Sequence, residues 1–208
     1  MANLFRRFRL LSVVLLSASS VAMGQDDGPP APISLDATSS SFDRKTNRVS
    51  FTGLRITQGE LVIEADRALA TGLDFAGESR WEFSGDVAIN MESARIRADT
   101  AEFTFESHQL VSGELSGDPV QFEDYSTTRA QAITGGARRL TYRGEERTLR
   151  FFENAWLSEG PNRIEGCDLI YDMAEERVTS GSSDCGEPVR ITIQPPNGGA
   201  GTSTPETP

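Results

Sequence analysis

The chain has 208 residues, of which 31 are acidic and 20 are Lys or Arg, and its formal net charge is −11. Such an acidic chain lacks the basic surface that nucleic-acid binding requires, and an anionic membrane surface would repel it. Its length, together with 37% hydrophobic residues, is sufficient for a single domain with a modest core.

The N-terminal segment has the features of a secretory signal peptide. Three arginines within residues 6–9 precede the apolar run 10–16, and Ala22 and Gly24 provide the small residues expected before cleavage at Gln25. An uncleaved membrane anchor is the alternative, but the run is short for a span of about 20 residues. We therefore predict a signal peptide at residues 1–24, a flexible Pro-rich leader at 25–32 and a disordered Pro/Gly/Thr tail at 196–208.

A short phrase recurs along the chain at intervals of about 28 to 39 residues, a spacing typical of repeat architectures. Its clearest copies are Ile63–Ala70 and Ile96–Phe103, and weaker copies begin near Leu35, Gly135 and Ile164. Between the copies, apolar residues alternate with polar ones, as expected for strands with one buried face. The alternation changes phase within each phrase, which requires a bulge or a tight corner. The pattern predicts an all-β chain of short antiparallel strands joined by corners and turns.

Repeated strand pairs bury their apolar faces by stacking on each other. The predicted interior residues are Phe51, Leu61, Ile63, Phe83, Val87, Ile89, Ile96, Phe103, Phe105, Phe151, Leu157, Ile164, Leu169 and Tyr171. A close-packed sandwich core is the simpler interpretation. Small residues at other expected interior positions, such as Ala37, Ala68 and Ala101, leave a second one open, in which the interior has room for a hydrocarbon ligand. The polar stretch Glu123–Gln131 is predicted to be a mobile loop.

The two cysteines, Cys167 and Cys185, suggest a disulfide, because an exported chain with an even cysteine count commonly forms one. We expect it to hold the last strands of the domain together. A redox or catalytic pair is the alternative, but such pairs favour Cys-x-x-Cys spacing and a lowered thiol pKa.

Residue patterns for catalysis are lacking. The single histidine, His108, lies in a polar turn, and Asp66 and Asp99 recur at the same corner of successive repeats, where turn residues are expected. The sequence has no Gly-rich phosphate loop and no metal-ligand spacing. We therefore expect no enzyme activity, no cofactor and no metal.

Several segments resemble one family. The alternation of Phe83, Gly85, Val87 and Ile89, the copy at Ile96–Phe103, and the segments 49–66 and 189–195 resemble the OstA-like domain of the LptA family of lipopolysaccharide-export proteins. The resemblance extends over residues 33–195, which we take as the domain.

The resemblance implies an open, twisted antiparallel β-jellyroll with unpaired sheet ends, and a non-enzymatic carrier located in the periplasm. Lipopolysaccharide acyl chains would lie in an interior groove, and domains would join head to tail into a homo-oligomeric bridge between the membranes. The partners would be lipopolysaccharide, an LptC-like inner-membrane component and an LptD-like outer-membrane component, both held by edge-strand pairing. The candidate groove residues are the first twelve predicted interior residues, Phe51, Leu61, Ile63, Phe83, Val87, Ile89, Ile96, Phe103, Phe105, Phe151, Leu157 and Ile164.

Two alternatives remain open beside this carrier. One is a membrane-anchored, LptC-like partner of the same pathway, which would keep the N-terminal apolar segment. The other is a lipid-free β-repeat protein that binds other envelope proteins by strand addition.

Overall fold

The computed structural model describes residues 31–72, 77–125, 131–180, 186 and 188–195. The strands are β1 (Ser34–Asp43), β2 (Arg48–Gln58), β3 (Leu61–Thr71), β4 (Glu78–Met91), β5 (Ala94–Glu106), β6 (Gln109–Asp124), β7 (Ile133–Arg143), β8 (Thr148–Glu159), β9 (Asn162–Asp172), β10 (Arg177–Ser180) and β11 (Arg190–Thr192). The predicted signal peptide and C-terminal tail lie outside the described residues, so those boundaries stay predictions.

All of these strands belong to one antiparallel sheet in which β1 to β10 are neighbours in chain order and β11 pairs with β9. The predicted all-β, open antiparallel fold is therefore confirmed. The prediction of short strands was wrong, because β4, for example, is 14 residues long. Each predicted strand–corner–strand unit is one continuous strand. Bulges occur from the β3–β4 pair onward, whereas β1 pairs with β2 without a register shift.

The predicted phase changes are these bulges. The register of β3 against β4 shifts between Glu64 and Arg67, and shifts recur at the middle of each following pair as far as β8 and β9. At one of them Gly85 has a φ of +79°, and a Cβ added there would lie 2.5 Å from Oδ2 of Asp66 on the neighbouring strand. Both the left-handed backbone and the close approach of Asp66 favour glycine at this corner.

The aligned bulges bend the strands at one level, so that the sheet folds over into two layers. Layer 1 contains the first halves of the odd-numbered strands β1 to β9, the second halves of the even-numbered strands β2 to β8, and β11. Layer 2 contains the remaining halves and β10. Phe122 of β6 in layer 1 lies 5.4 Å from Phe151 of β8 and 5.5 Å from Tyr171 of β9 in layer 2, measured between ring centroids. Since neither strand neighbours β6 in the sheet, the hydrophobic core lies between the layers.

The fourteen predicted interior residues all belong to this core, either buried or partly buried against it. Ala37, in contrast, is exposed. That expectation was wrong because β1 is an edge strand, and within the described residues nothing covers the inner face of its first half.

The polar stretch predicted as a loop over Glu123–Gln131 begins later than expected. β6 continues to Asp124, and the side chain of Asp124 is buried and accepts hydrogen bonds from Ser93 Oγ and the Tyr171 hydroxyl. These partners hold the end of β6 in the sheet. Residues 126–130 lie outside the described residues.

Candidate functional site

The inner face of layer 1 carries a row of apolar residues that crosses every strand of the layer. Successive pairings of the sheet place its members directly opposite one another, so they form one continuous line along the stacking direction. The members are Leu35, Ile56, Ile63, Ile89, Ile96, Phe122, Gly135, Leu157, Ile164 and Ile191. We name them row 1.

Layer 2 carries a matching line on its own inner face. Its members are also opposite one another in the register from β1 to β10. They are Phe42, Val49, Ala70, Trp81, Phe103, Gly113, Tyr142, Leu149, Tyr171 and Val178, which we name row 2. The space between rows 1 and 2, referred to below as the groove, is lined mainly by apolar residues, with the buried hydrogen bond from the Tyr171 hydroxyl to Asp124 as a polar contact beside them.

Large and small residues are matched across neighbouring strands of the groove. Ala70 lies opposite Trp81, and Gly113 lies opposite Phe103. A Cβ added to Gly113 would come within 2.3 Å of the Phe103 ring. The absence of a side chain at Gly113 therefore provides the volume that the neighbouring aromatic ring occupies, and the centre of the groove is filled by protein side chains.

Within the residues that the structure describes, the groove is open at its two ends. On the β1 side, Leu35 and Phe42 are exposed by 37% and 54%. On the β11 side, Ile191 is 65% exposed, and a cavity of about 310 Å³ is lined both by apolar residues such as Leu157, Ile164 and Val178 and by polar residues such as Arg163 and Glu176. Apolar surface left uncovered at both ends of one line is typical of an interaction site.

The free edges of the two layers meet along a polar seam opposite the corners. There Gln58 Nε2 donates a hydrogen bond to the carbonyl of His108, and Arg147 forms an ion pair with Glu92. Both contacts join a turn of one layer to a turn or strand end of the other. The seam is therefore a polar boundary between the apolar interior and water, and its side chains form hydrogen bonds readily.

Comparison with known proteins supports a transport role. Residues 70–177 match the family model described as LptA/(LptD N-terminal domain) LPS transport protein. The chain belongs to this family. Membership in the LptA family assigns the protein a role in lipopolysaccharide transport.

The fold of the LptA family is also found in a solved structure that resembles this chain. It is the crystal structure of LptH, the LptA-homologous periplasmic component of the lipopolysaccharide transport device of Pseudomonas aeruginosa, with a TM-score of 0.51 and 16% sequence identity. The similarity covers 79% of this chain and 96% of LptH. No curated protein sequence matches the chain.

The structure brings all twelve candidate groove residues to the inner faces of the two layers. Ile63, Ile89, Ile96, Leu157 and Ile164 belong to row 1, and Phe103 belongs to row 2. Phe51, Phe83 and Phe151 form a second line in layer 2 nearer the corners, Val87 lies near the corner of layer 1, and Leu61 and Phe105 lie near the seam. Their contact with lipid stays a prediction.

Several large interior side chains are not among the residues predicted from the sequence, and Trp81 and Phe122 are the most prominent of them. Both are almost completely buried. Trp81 stacks on Phe51 at 5.7 Å and Phe122 lies between the layers. The alternation of Trp81 with Phe83 along β4 could have identified Trp81 as an interior residue. Phe122 was obscured because it stands beside the polar stretch that was interpreted as a loop.

His108 lies in the β5–β6 turn, and its side chain is exposed. Within the part of the chain that the structure describes, no group of His, Cys, Asp or Glu residues has an arrangement that could hold a metal ion. The described residues likewise contain no helix of the length and apolarity needed to cross a membrane.

The predicted disulfide is only partly visible. Cys167, at the middle of β9, is disulfide-bonded. Cys185 lies outside the described residues, so the pairing of Cys167 with Cys185 stays a prediction.

One titratable group of the groove leads to a pH-dependence prediction. Burial and the nearby Glu92 carboxylate raise the pKa of Tyr142 above its usual value of 10.0, with Arg147 opposing them. The folded protein therefore holds the phenolic proton more tightly than the unfolded chain does. This contribution to stability is complete below the unfolded pKa of about 10 and is lost as the pH rises through the folded pKa.

We therefore expect the wild-type protein to lose more stability than Tyr142→Phe between pH about 9 and about 11. Urea unfolding followed by circular dichroism at a series of pH values measures the difference. Parallel losses in the two proteins would show that Tyr142 ionisation does not affect folding.

Proposed function

We propose that this protein is a non-enzymatic carrier that shields lipopolysaccharide acyl chains in the groove during export. The observation that supports this most directly is the continuity of rows 1 and 2, which cross the sheet from the exposed Leu35 and Phe42 to Ile191 and Val178. A packed core alone does not need apolar residues in register through both edge strands. A path for a moving hydrocarbon chain, in contrast, needs apolar residues in both edge strands.

The energetics of the groove suit acyl chains. Each methylene transferred from water to an apolar surface contributes about 0.8 kcal/mol, so several methylenes would offset the loss of some side-chain packing in the centre of the groove. The sugars would remain outside the seam, near polar groups such as Gln58 and the ion pair of Arg147 with Glu92. Entry of a chain then requires the two layers to separate along this seam.

We further propose that the protein works in the periplasm and joins others into a bridge between the membranes. LptH is described as a periplasmic component of a lipopolysaccharide transport device, and the predicted signal peptide suits the same location. The partners would be lipopolysaccharide, an LptC-like component at the inner membrane and an LptD-like component at the outer membrane. Edge strands supply the contacts, since their unpaired backbone groups accept a further strand.

Photocrosslinking in cells tests the carrier function. A crosslinkable amino acid at Phe83 faces the interior, whereas one at the adjacent Glu82 faces solvent on the same strand. We expect a lipopolysaccharide adduct at Phe83 and none at Glu82. Absence of the adduct in protein that is folded and exported would rule out the carrier.

One observation favours a second candidate, a lipid-free scaffold that binds by strand addition. The centre of the groove is filled by matched large and small residues, among them Phe122 between the layers and Gly113 against Phe103. In that case crosslinking from Phe83 would yield protein adducts alone.

A further inference from the structure

A buried polar contact joins the two layers inside the groove. The Tyr171 hydroxyl donates a hydrogen bond to Oδ2 of Asp124, and Ser93 Oγ donates one to Oδ1, both over 2.5 Å. Tyr171 and Asp124 are both buried, so the bond between them lies away from water. We name Ser93, Asp124 and Tyr171 the crossbar.

The crossbar connects strands that are not neighbours in the sheet. Asp124 ends β6 in layer 1, and Tyr171 lies near the end of β9 in layer 2, with β7 and β8 between these two strands along the sheet. Ser93 lies in the β4–β5 turn, at the edge of layer 1. The Tyr171 side chain therefore reaches across the groove from one layer to the other, close to the seam.

The crossbar holds the layers together more firmly than the contacts on the outside of the seam do. The side chains of Arg147 and Glu92 are 47% and 55% exposed, and exposed ion pairs contribute little because water competes for both partners. A hydrogen bond in the buried interior is stronger than one in water, and a buried carboxylate that loses one of its donors is left with a desolvation penalty. Opening of the seam between β6 and β9 therefore requires the crossbar to break.

The crossbar also lies across the path that a hydrocarbon chain would take. Phe122 belongs to row 1 and Tyr171 to row 2, and their ring centroids are 5.5 Å apart, which is a contact distance for aromatic rings. A chain that follows the two rows cannot pass between rings that touch. Phe122 is itself packed against Phe151, whose ring centroid lies 5.4 Å away, and Tyr171 can move only if its hydrogen bond to Asp124 breaks.

We propose that the crossbar divides the groove into a part toward β1 and a part toward β11, and that acyl chains move between the parts only when Tyr171 swings away from Asp124. The inference rests on the carrier function proposed above and assigns Tyr171 as the residue that limits this movement. Asp124 and Ser93 act through Tyr171 and are positioning residues. Packing alone does not explain the buried pair, because apolar residues of the same shape would be about as stable.

Two photocrosslinking positions, one on each side of the crossbar, test the proposal. Phe83 in β4 lies toward β1, and Leu157 in β8 lies toward β11. Lipopolysaccharide is mixed with the purified full protein, and adduct formation at each position is followed with time. With an intact crossbar we expect adducts at one position first and at the other after a lag. Tyr171→Phe should shorten this lag roughly threefold to tenfold, because it keeps the ring and removes the hydrogen bond.

Tyr142→Phe is the matched control, because it removes a phenolic hydroxyl from row 2 on β7, two strands away, and leaves the crossbar intact. We expect it to leave the lag unchanged. Asp124→Ala should shorten the lag as Tyr171→Phe does, and the double variant should show no further change, since both substitutions remove the same bond.

Amide hydrogen exchange of the lipid-free protein provides a second measurement that needs no crosslinker. Tyr171→Phe should speed exchange at the ends of β6 and β9 and leave β1 to β3 unchanged, because only the seam near the crossbar opens more often. A general loss of stability would instead speed exchange in every strand, and that result would overturn the proposal.

Three crosslinking results would also overturn the proposal and leave the carrier function standing, because Phe83 would still capture lipid. They are simultaneous adducts at both positions with an intact crossbar, an unchanged lag in Tyr171→Phe, and an equally shortened lag in Tyr142→Phe. Absence of adducts at both positions in folded protein would overturn the carrier function, and the crossbar with it.

Discussion

Replacing Phe122 with alanine is expected to lower the free energy of unfolding by about 3–5 kcal/mol, the usual range for truncating a fully buried phenylalanine. Phe122 is 1% exposed and contacts the rings of Phe151 and Tyr171 across the groove. It is a side chain of layer 1 that packs directly against aromatic rings of layer 2. Its loss therefore removes packing between the layers in addition to packing within the sheet.

Urea unfolding followed by tryptophan fluorescence measures this effect. Phe42→Ala is the matched control, because it truncates the same residue type at an edge position that is 54% exposed, and we expect it to change stability by less than about 1 kcal/mol in the monomer. Equal losses in the two variants would contradict the two-layer packing described here. An intact crosslink from Phe83 in Phe122→Ala would show that the groove tolerates a cavity at its centre.

Gly135→Ala is expected to destabilise the protein by about 1–3 kcal/mol through overpacking. The added Cβ would lie 2.4 Å from Leu157 Cδ2 and 2.8 Å from the Trp156 carbonyl oxygen. The leucine methyl can turn away, but the carbonyl belongs to the paired backbone of β8 and can move only if the strands separate. Row 1 therefore requires glycine at this position because there is no space for a larger residue.

The control for this substitution is Gly77→Ala, where no atom lies within 4 Å of the added Cβ. It should leave stability unchanged or raise it by up to about 1 kcal/mol, since alanine restricts the unfolded chain. Thermal unfolding of both variants by calorimetry makes the comparison. A neutral Gly135→Ala would mean that β7 and β8 are further apart than the structure places them.

Local residue patterns were sufficient to predict fourteen of the side chains that face inward. The alternation around Phe83, Val87 and Ile89 identifies the buried face of β4, because side chains of a strand point to opposite sides in turn. The phase change at Ala98 likewise identifies a bulge in β5. These features depend on a few neighbouring residues, and for that reason they can be predicted from sequence.

The same patterns could not predict how far each strand extends. Phe122 and Asp124 end β6 inside the core, although they border a polar stretch that by itself indicates a loop. Asp124 is held there by Ser93 and Tyr171, which are distant in the sequence. Ala37 shows the opposite error, because its residue type suits an interior position and only its place on an edge strand leaves it exposed.

Local periodicity and short motifs were enough to predict the all-β class, the bulged repeat, many of the inward-facing residues and the resemblance to lipopolysaccharide-export proteins. The three-dimensional structure was needed to show that Leu35 and Ile191 terminate one continuous row, that the sheet folds so that Phe122 meets Tyr171, and that β10 and β11 both pair with β9. These features depend on register between strands far apart in the chain. Register is a product of long-range pairing, and a shift of one residue would turn every side chain of a strand to the other face.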